Sequence, residues 1–270
     1  MPELPEVEVT RCGIAPALVG RAVSGVVVRT AALRYPLPTG LAQLLRGKLL
    51  RDIGRRGKYL LFDFGEGRLL LHLGMSGSLR LVPAEAVAAK HDHFDLQFDR
   101  VALRLRDPRR FGTLLWLDGD PARHPLIEPL GVEPLATEFT AAGLRRLLAG
   151  RRIPVKQALM DSRLVVGIGN IYASESLYHA GIDPRTPAGT VSSARLERLV
   201  VAIRATLQAA IAAGGSSLRD FVRSDGSSGY FQQHYGVYGR AGEPCRRCGA
   251  PVRSIRQGGR ASYFCPRCQR

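Results

Sequence analysis

Residues 245–268 read CRRCGAPVRSIRQGGRASYFCPRC, two Cys-x2-Cys knuckles with sixteen residues between them. Each knuckle is a tight turn that aims two thiolates at one point, and a pair of knuckles completes a tetrahedral zinc site. The spacing predicts a ribbon holding one structural Zn2+ through Cys245, Cys248, Cys265 and Cys268. Two disulfides are the alternative. The N-terminal run MPELPEVEV is acidic and proline-bearing where a secretory leader is basic and then apolar, so a soluble intracellular chain with reduced thiols is expected. Four thiolates leave no coordination position for a substrate, and the metal's expected task is to hold a loop. That loop is basic: residues 240–270 carry eight arginines against Glu243 alone. Counting four thiolates and one Zn2+, about five positive charges remain. A ribbon of this charge suits phosphates, and Arg260, after Gly258 and Gly259 at the tip between the knuckles, is placed to reach furthest.

The rest of the chain agrees with that charge. Over 270 residues, 39 Lys and Arg face 23 Asp and Glu, a net +16, which points to a polyanion and first of all to nucleic acid. Apolar residues at 45% and charged residues at 23% exclude a wholly disordered, collagen-like or coiled-coil chain. No run of 18 apolar residues occurs, so no membrane helix is expected. Only four basic residues are lysines (Lys48, Lys58, Lys90 and Lys156). A coding bias toward arginine accounts for Lys48 and Lys90, while Lys58 and Lys156 stand beside motifs described below.

The first 120 or so residues read as strands. Segments 23–29, 58–64, 68–73, 94–98 and 101–106 are short, rich in Val, Leu, Phe and Tyr, and parted by glycine turns, the pattern of a β-sandwich or barrel. A helix begins at the N-terminus, with Pro5 in its first turn and Glu6 and Glu8 at its positive end, and stops near Gly20. Cys12, alone on it, reads as a small buried hydrophobe. Four prolines within 121–134 mark a linker. Beyond it, segments 140–149, 154–160, 170–180 and 192–213 have apolar residues at three- and four-residue spacing, a helical domain. Residues 214–229 are rich in Gly, Ser and Asp, a mobile loop by composition.

Several motifs bear on chemistry. Gly167-Ile-Gly-Asn170 is not a dinucleotide fingerprint, because Tyr172 holds the third glycine position and no βαβ unit surrounds it. It reads as a turn between two helices, the second capped by Asn170. That resembles a helix-turn-helix element whose exposed amides face a phosphate, although a plain interhelical connection fits as well. His91-Asp92-His93 lacks a third ligand and reads as a solvated or structural pair. Neither H-E-x-x-H nor G-x-S-x-G occurs, which removes support for metalloprotease and α/β-hydrolase chemistry. At the N-terminus, loss of Met1 exposes Pro2 as a secondary amine, and an α-amino group with a pKa of roughly 7.7 to 8.0 is partly unprotonated at neutral pH. Glu3 and Glu6 lie within reach as an acid and base pair. The plainer reading of the same residues is a proline-initiated acidic helix start.

Taken in order, Met1-Pro-Glu-Leu-Pro-Glu-Val-Glu8, Gly57-Lys-Tyr-Leu60, His72-Leu-Gly-Met-Ser-Gly77, Asp107-Pro-Arg-Arg-Phe-Gly112, Gly167-Ile-Gly-Asn-Ile-Tyr-Ala-Ser-Glu175, Ser224-Asp-Gly226, Val237-Tyr-Gly-Arg240 and the four-cysteine ribbon closely resemble the bacterial formamidopyrimidine-DNA glycosylase family, from end to end. The resemblance implies an α+β multidomain fold: an N-terminal β-sandwich with flanking helices over 1–120, a linker over 121–134, a helix-two-turn-helix domain with a lesion loop over 135–236, and a zinc finger over 237–270. DNA would lie between the halves. The resemblance also implies Pro2 as nucleophile, Glu3 in proton transfer, Glu6 in support, and Lys58 at the phosphate or lesion beside them. It puts His72 and Lys156 among the DNA contacts and makes Asn170, Tyr238 and Arg260 a phosphate clamp. Met75, Arg109 and Phe111 would fill the space left by the extruded nucleotide.

The function this implies is bifunctional excision of oxidised purines from double-stranded DNA followed by strand cleavage, by a cytoplasmic monomer with one zinc and no other cofactor. Two rivals are an endonuclease VIII-type enzyme for oxidised pyrimidines, set aside on Leu4 and the Met75, Arg109, Phe111 set, and a non-catalytic zinc-ribbon DNA-binding protein. The knuckle spacing predicts about one zinc per chain on metal analysis. It also predicts that Cys245→Ser loses zinc together with affinity for lesion DNA. Full affinity and cleavage in that variant would contradict it.

Overall fold

The computed structural model describes residues 2–216, 224–227 and 229–270, and these form two compact units, residues 1–128 with 213–230 and residues 129–212 with 231–270. In the first unit, α1 (Leu4–Leu18) precedes eight strands: β1 (Gly25–Val28), β2 (Asp52–Arg56), β3 (Tyr59–Asp63), β4 (Gly67–His72), β5 (Ser78–Pro83), β6 (Asp92–Phe98), β7 (Val101–Arg106) and β8 (Thr113–Asp118), with a short α2 (Leu41–Leu45) after β1. They build two four-stranded sheets, ordered β1-β6-β7-β5 and β2-β3-β4-β8, all pairs antiparallel. Alternation along the strands sends Ile53, Leu60, Phe62, Leu69 and Leu71 of one sheet and Leu79, Phe94, Leu96, Leu103 and Leu105 of the other into one core. Val7, Ile14 and Leu18 of α1 join that core. The expected strands are present; β2, β5, β8 and α2 are added to them.

The opposite face of the β1-β6-β7-β5 sheet is held by charge. Asp95 is buried and receives Arg104 through both oxygens, at 2.9 and 2.8 Å, and Arg29 at 2.6 Å. Arg104 also donates to the carbonyls of Ala86 and Val87, which ties down the loop before β6.

Two readings change here. Cys12 is exposed, because the buried stripe of α1 runs through Leu4, Val7, Ile14 and Leu18 and leaves position 12 on the other side. The segment 213–230, grouped by sequence with the helical domain, belongs to the sandwich unit. There Leu81 N–H donates to the Ser224 carbonyl at 3.0 Å, and Tyr230 N–H donates to the Ala213 carbonyl at 3.2 Å, closing the base of the loop. The expected mobile stretch 214–229 lies in part, at 217–223 and 228, outside the described residues, as does Met1.

The second unit contains α3 (Ala141–Leu148), α4 (Val155–Met160), α5 (Asn170–Ala180), α6 (Ser193–Ala212) and the hairpin β9 (Arg253–Gln257) and β10 (Arg260–Phe264). The boundary at 128 and 129 falls within the proline-rich stretch. Helix α5 begins at Asn170 itself, with Gly169 in the capping position, so Asn170 is its first residue and its side chain is free of capping duty.

Candidate nucleic-acid interface and metal centre

In the sandwich unit the N-terminal turn is fixed by reciprocal hydrogen bonds. Glu3, in extended conformation, accepts the Glu6 N–H, while the Glu6 side chain accepts the Glu3 N–H at 2.8 Å, a capping box of two glutamates. The other Glu6 oxygen accepts the Ser216 N–H at 2.8 Å. Pro2, Glu3 and Glu6 are all buried. One turn on, Glu8 pairs with Arg11 at 2.6 Å and Arg55 at 2.8 Å. Burial pushes its carboxyl upward, but the two guanidinium groups outweigh it and hold Glu8 at about 2. Arg55 also donates to the Gly57 carbonyl at 2.9 Å, so α1 is tied to the β2–β3 turn that carries Lys58.

Beside that turn, Tyr59 faces His72 across the β3–β4 pair, their rings 4.8 Å apart. His72 Nδ1 accepts the Gly74 N–H at 3.0 Å, which leaves the ring proton on Nε2. Burial, with the charges of Lys58 and Arg34, pushes His72 down to about 4. At neutral pH it is an uncharged donor next to a lysine.

Met75, Arg109 and Phe111 stand on two loops braced against each other. Buried Asp107 accepts the Ser76 hydroxyl at 2.9 Å and the Gly112 N–H at 2.7 Å. Gly74, at φ +63°, lies so close to the second loop that a Cβ there would sit 2.5 Å from the Phe111 carbonyl carbon. On this frame Met75 and Phe111 remain 39% and 45% exposed, large apolar side chains held out toward solvent. The Arg109 guanidinium lies over the Phe111 ring, 4.7 Å from its centre. His93, from the His-Asp-His motif, donates to the Asp107 carbonyl at 3.0 Å and supports the same turn.

In the second unit α5 gathers the remaining predicted residues. Asn170 accepts the Lys156 ammonium at 2.6 Å and lies 3.5 Å from the Tyr238 hydroxyl. Lys156 is 2% exposed, and its ammonium also donates to the Ala261 carbonyl at 2.9 Å and the Ser262 hydroxyl at 2.7 Å. Through these bonds it joins α4, α5 and β10. Five residues along α5, Glu175 is fully buried and accepts the amides of Gly236, Val237 and Tyr238 at 2.7, 3.0 and 2.7 Å. This places Tyr238, which stacks edge-on with Tyr263 of β10 at 5.1 Å. Gly258 and Gly259, both at positive φ, form the two-residue turn of the hairpin, and Arg260 beside it is exposed.

The four cysteines converge, their sulfurs all within 4.8 Å of one another. Cys245 and Cys268 are 3.9 Å apart and Cys248 and Cys265 3.5 Å, against the roughly 3.8 Å that tetrahedral zinc with 2.3 Å bonds requires. Main-chain amides of Arg247 and Cys268 point at the sulfurs of Cys245 and Cys265, each at 3.4 Å, the knuckle geometry that stabilises thiolates. The residues present fit one structural zinc. Sequence reasoning missed Asp107, Ser76 and Glu175 as positioning residues, although all three sit inside the motifs that carry the resemblance. A carboxylate on an otherwise buried helix was the signal available for Glu175.

Fold and site define a zinc-ribbon protein whose N-terminal helix starts on two buried glutamates. Family models match along its length: the formamidopyrimidine-DNA glycosylase N-terminal domain over residues 1–114, the H2TH domain of the same enzymes over 130–222, and the zinc finger found in FPG and IleRS over 242–270. The chain is 58% identical to the formamidopyrimidine-DNA glycosylase of Paraburkholderia phymatum and 59% to that of Burkholderia multivorans, covering 100% of each chain. Among solved structures it is similar to a Lactococcus lactis FPG variant in complex with Fapy-dG containing DNA (TM-score 0.92, 36% identity, 100% of both chains). It is also similar to the Thermus thermophilus protein (TM-score 0.88, 40% identity, 99% and 98% covered). The chain belongs to the formamidopyrimidine-DNA glycosylase family.

The bracing of the two loops predicts that Asp107→Ala leaves the Ser76 hydroxyl and the Gly112 amide without their acceptor. At about 1 to 3 kcal/mol for each of the two orphaned donors, a loss of about 2 to 6 kcal/mol is expected in urea unfolding. An unfolding midpoint equal to that of the unmodified protein would show that the brace carries no load.

Proposed function

We propose that this protein is a base-excision-repair enzyme that removes 8-oxoguanine and formamidopyrimidines from duplex DNA and then cleaves the backbone at the abasic site. The observation that carries the reading is the N-terminal turn, in which Pro2 directly precedes a buried capping box made of Glu3 and Glu6. Once Met1 is removed, the prolyl nitrogen is a secondary amine with a pKa far below that of lysine. It attacks C1′ of the damaged nucleotide, the glycosidic bond breaks, and Glu3 delivers a proton to the opening sugar. The product is a cationic iminium, which makes the C2′ proton acidic. Its loss expels the 3′ phosphate, a second elimination expels the 5′ phosphate, and water releases the sugar fragment from Pro2. Glu6, with both oxygens on main-chain amides, holds the turn in place. Bound zinc supplies no step; it keeps the β9–β10 hairpin and Arg260 in position.

The DNA contacts follow the geometry of each unit. Lys58 with neutral His72 faces phosphate near the nucleophile. Asn170, Tyr238 and Arg260 grip phosphates flanking the extruded nucleotide, with Lys156 acting through Asn170 rather than on DNA. Met75 and Phe111 enter the stack as apolar wedges, and Arg109 donates to the base left unpaired. Lactococcus lactis relatives were crystallised with Fapy-dG containing DNA and with DNA containing an abasic site, the substrate and intermediate of this sequence. No helix among the described residues is long and apolar enough to cross a membrane; we place the protein in the cytoplasm at the nucleoid, acting as a monomer.

An oxidised pyrimidine is the second substrate reading, since the Lactococcus lactis protein was also crystallised on DNA containing one. Excision rate rather than binding separates the two, and 8-oxoguanine opposite cytosine is expected to be released faster than thymine glycol. Glu3→Gln is expected to lose base excision while still cutting a preformed abasic site, because that substrate has no glycosidic bond left to break. Equal loss on both substrates would remove Glu3 from the excision step, and faster release of thymine glycol would overturn the purine assignment.

A further inference from the structure

The sulfurs of the metal centre do not have equivalent surroundings. Cys245 Sγ lies 3.4 Å from the hydroxyl of Tyr178, in a buried contact, and also receives the Arg247 amide. Tyr178 comes from α5, not from the ribbon, and is 2% exposed. Its ring has little freedom. The Arg247 guanidinium lies over it at 4.5 Å and donates to the Tyr178 carbonyl at 3.0 Å. Gly236 passes so close that a Cβ there would fall 2.3 Å from a ring carbon. Val237, Val252, Cys245 and Cys265 pack with it in one cluster.

A metal-bound thiolate can only accept, so the phenol must be the donor. Such a hydrogen bond draws charge off sulfur and restrains the ligand's direction, as outer groups do around other metal centres. We propose that Tyr178 is a positioning residue of the zinc centre: its hydroxyl donates to the Cys245 thiolate and links retention of the metal to α5, the helix that presents Asn170 and Glu175. Cys245 then differs from the other three ligands in being anchored to a separate element. The inference rests on the four-cysteine zinc site and is independent of the proposed excision chemistry, because its readouts are properties of the metal and the thiols.

Tyr178→Phe keeps the ring, its packing and the Arg247 stack while deleting one O–H. The zinc-loaded variant is expected to hold zinc about 10-fold more weakly against a chelating dye, the lower end of losses from outer-group substitutions. Alkylation of Cys245, located by peptide mass, should accelerate more than alkylation of Cys248. In cobalt-substituted protein the sulfur-to-metal charge-transfer band should move to longer wavelength, since an unbonded thiolate gives up its electron more readily. Arg247→Gln, which loosens the ring but leaves the hydroxyl, should not move that band. Unchanged zinc retention with an unchanged cobalt band would overturn the proposal. So would uniform acceleration at all four cysteines, or the same band shift in Arg247→Gln, because either marks general loosening.

Discussion

The carboxylate of Glu6 accepts two main-chain amides, one from Glu3 nearby and one from Ser216, 210 residues away. Charge-assisted bonds to buried amides are among the strongest available without a metal, about 1.5 to 3 kcal/mol each. One sets where α1 begins and with it the position of Pro2, and the other fastens the 213–230 segment to the sandwich unit. The first residues of a chain have few neighbours to hold them, and chain ends fray unless tied down. Here the tie is the reciprocal capping of Glu3 and Glu6, reinforced by Glu8, which couples the next turn to Arg55.

The second unit uses the same device. Glu175 gathers three consecutive amides and so fixes the backbone that presents Tyr238. Lys156, buried among Asn170, Ala261 and Ser262, joins the start of α5 to the β9–β10 hairpin. In both units a buried charge holds the main chain, and the exposed groups that would meet DNA are carried on what it holds. The +16 net charge draws the polyanion in; the buried glutamates and lysine decide where particular donors stand.

What was legible in the sequence was local. Knuckle spacing reveals zinc ligands because two thiolates three residues apart can only meet at a turn, and the acidic, proline-bearing start reveals where α1 begins because proline and glutamate suit a first helical turn. What was not legible depended on exact helix placement or on partners distant in sequence. Cys12 looked buried by type, yet its side of α1 faces outward. Asn170 looked like a cap, but Gly169 takes that place and leaves the amide for Lys156. The partners of Lys156 were not legible because its acceptors on Ala261 and Ser262 lie more than 100 residues away. Residues 213–230 looked like part of the helical domain, because composition does not say that Leu81 and Glu6 hold their ends.

The decisive observable is which nitrogen bonds to the sugar. Borohydride added during reaction with 8-oxoguanine DNA should reduce the iminium to a stable protein–DNA adduct, and peptide mass mapping should place the DNA remnant on Pro2 at a processed N-terminus. An adduct mapped to Lys58, or full trapping by a protein whose Pro2 is capped by an N-terminal extension, would contradict it.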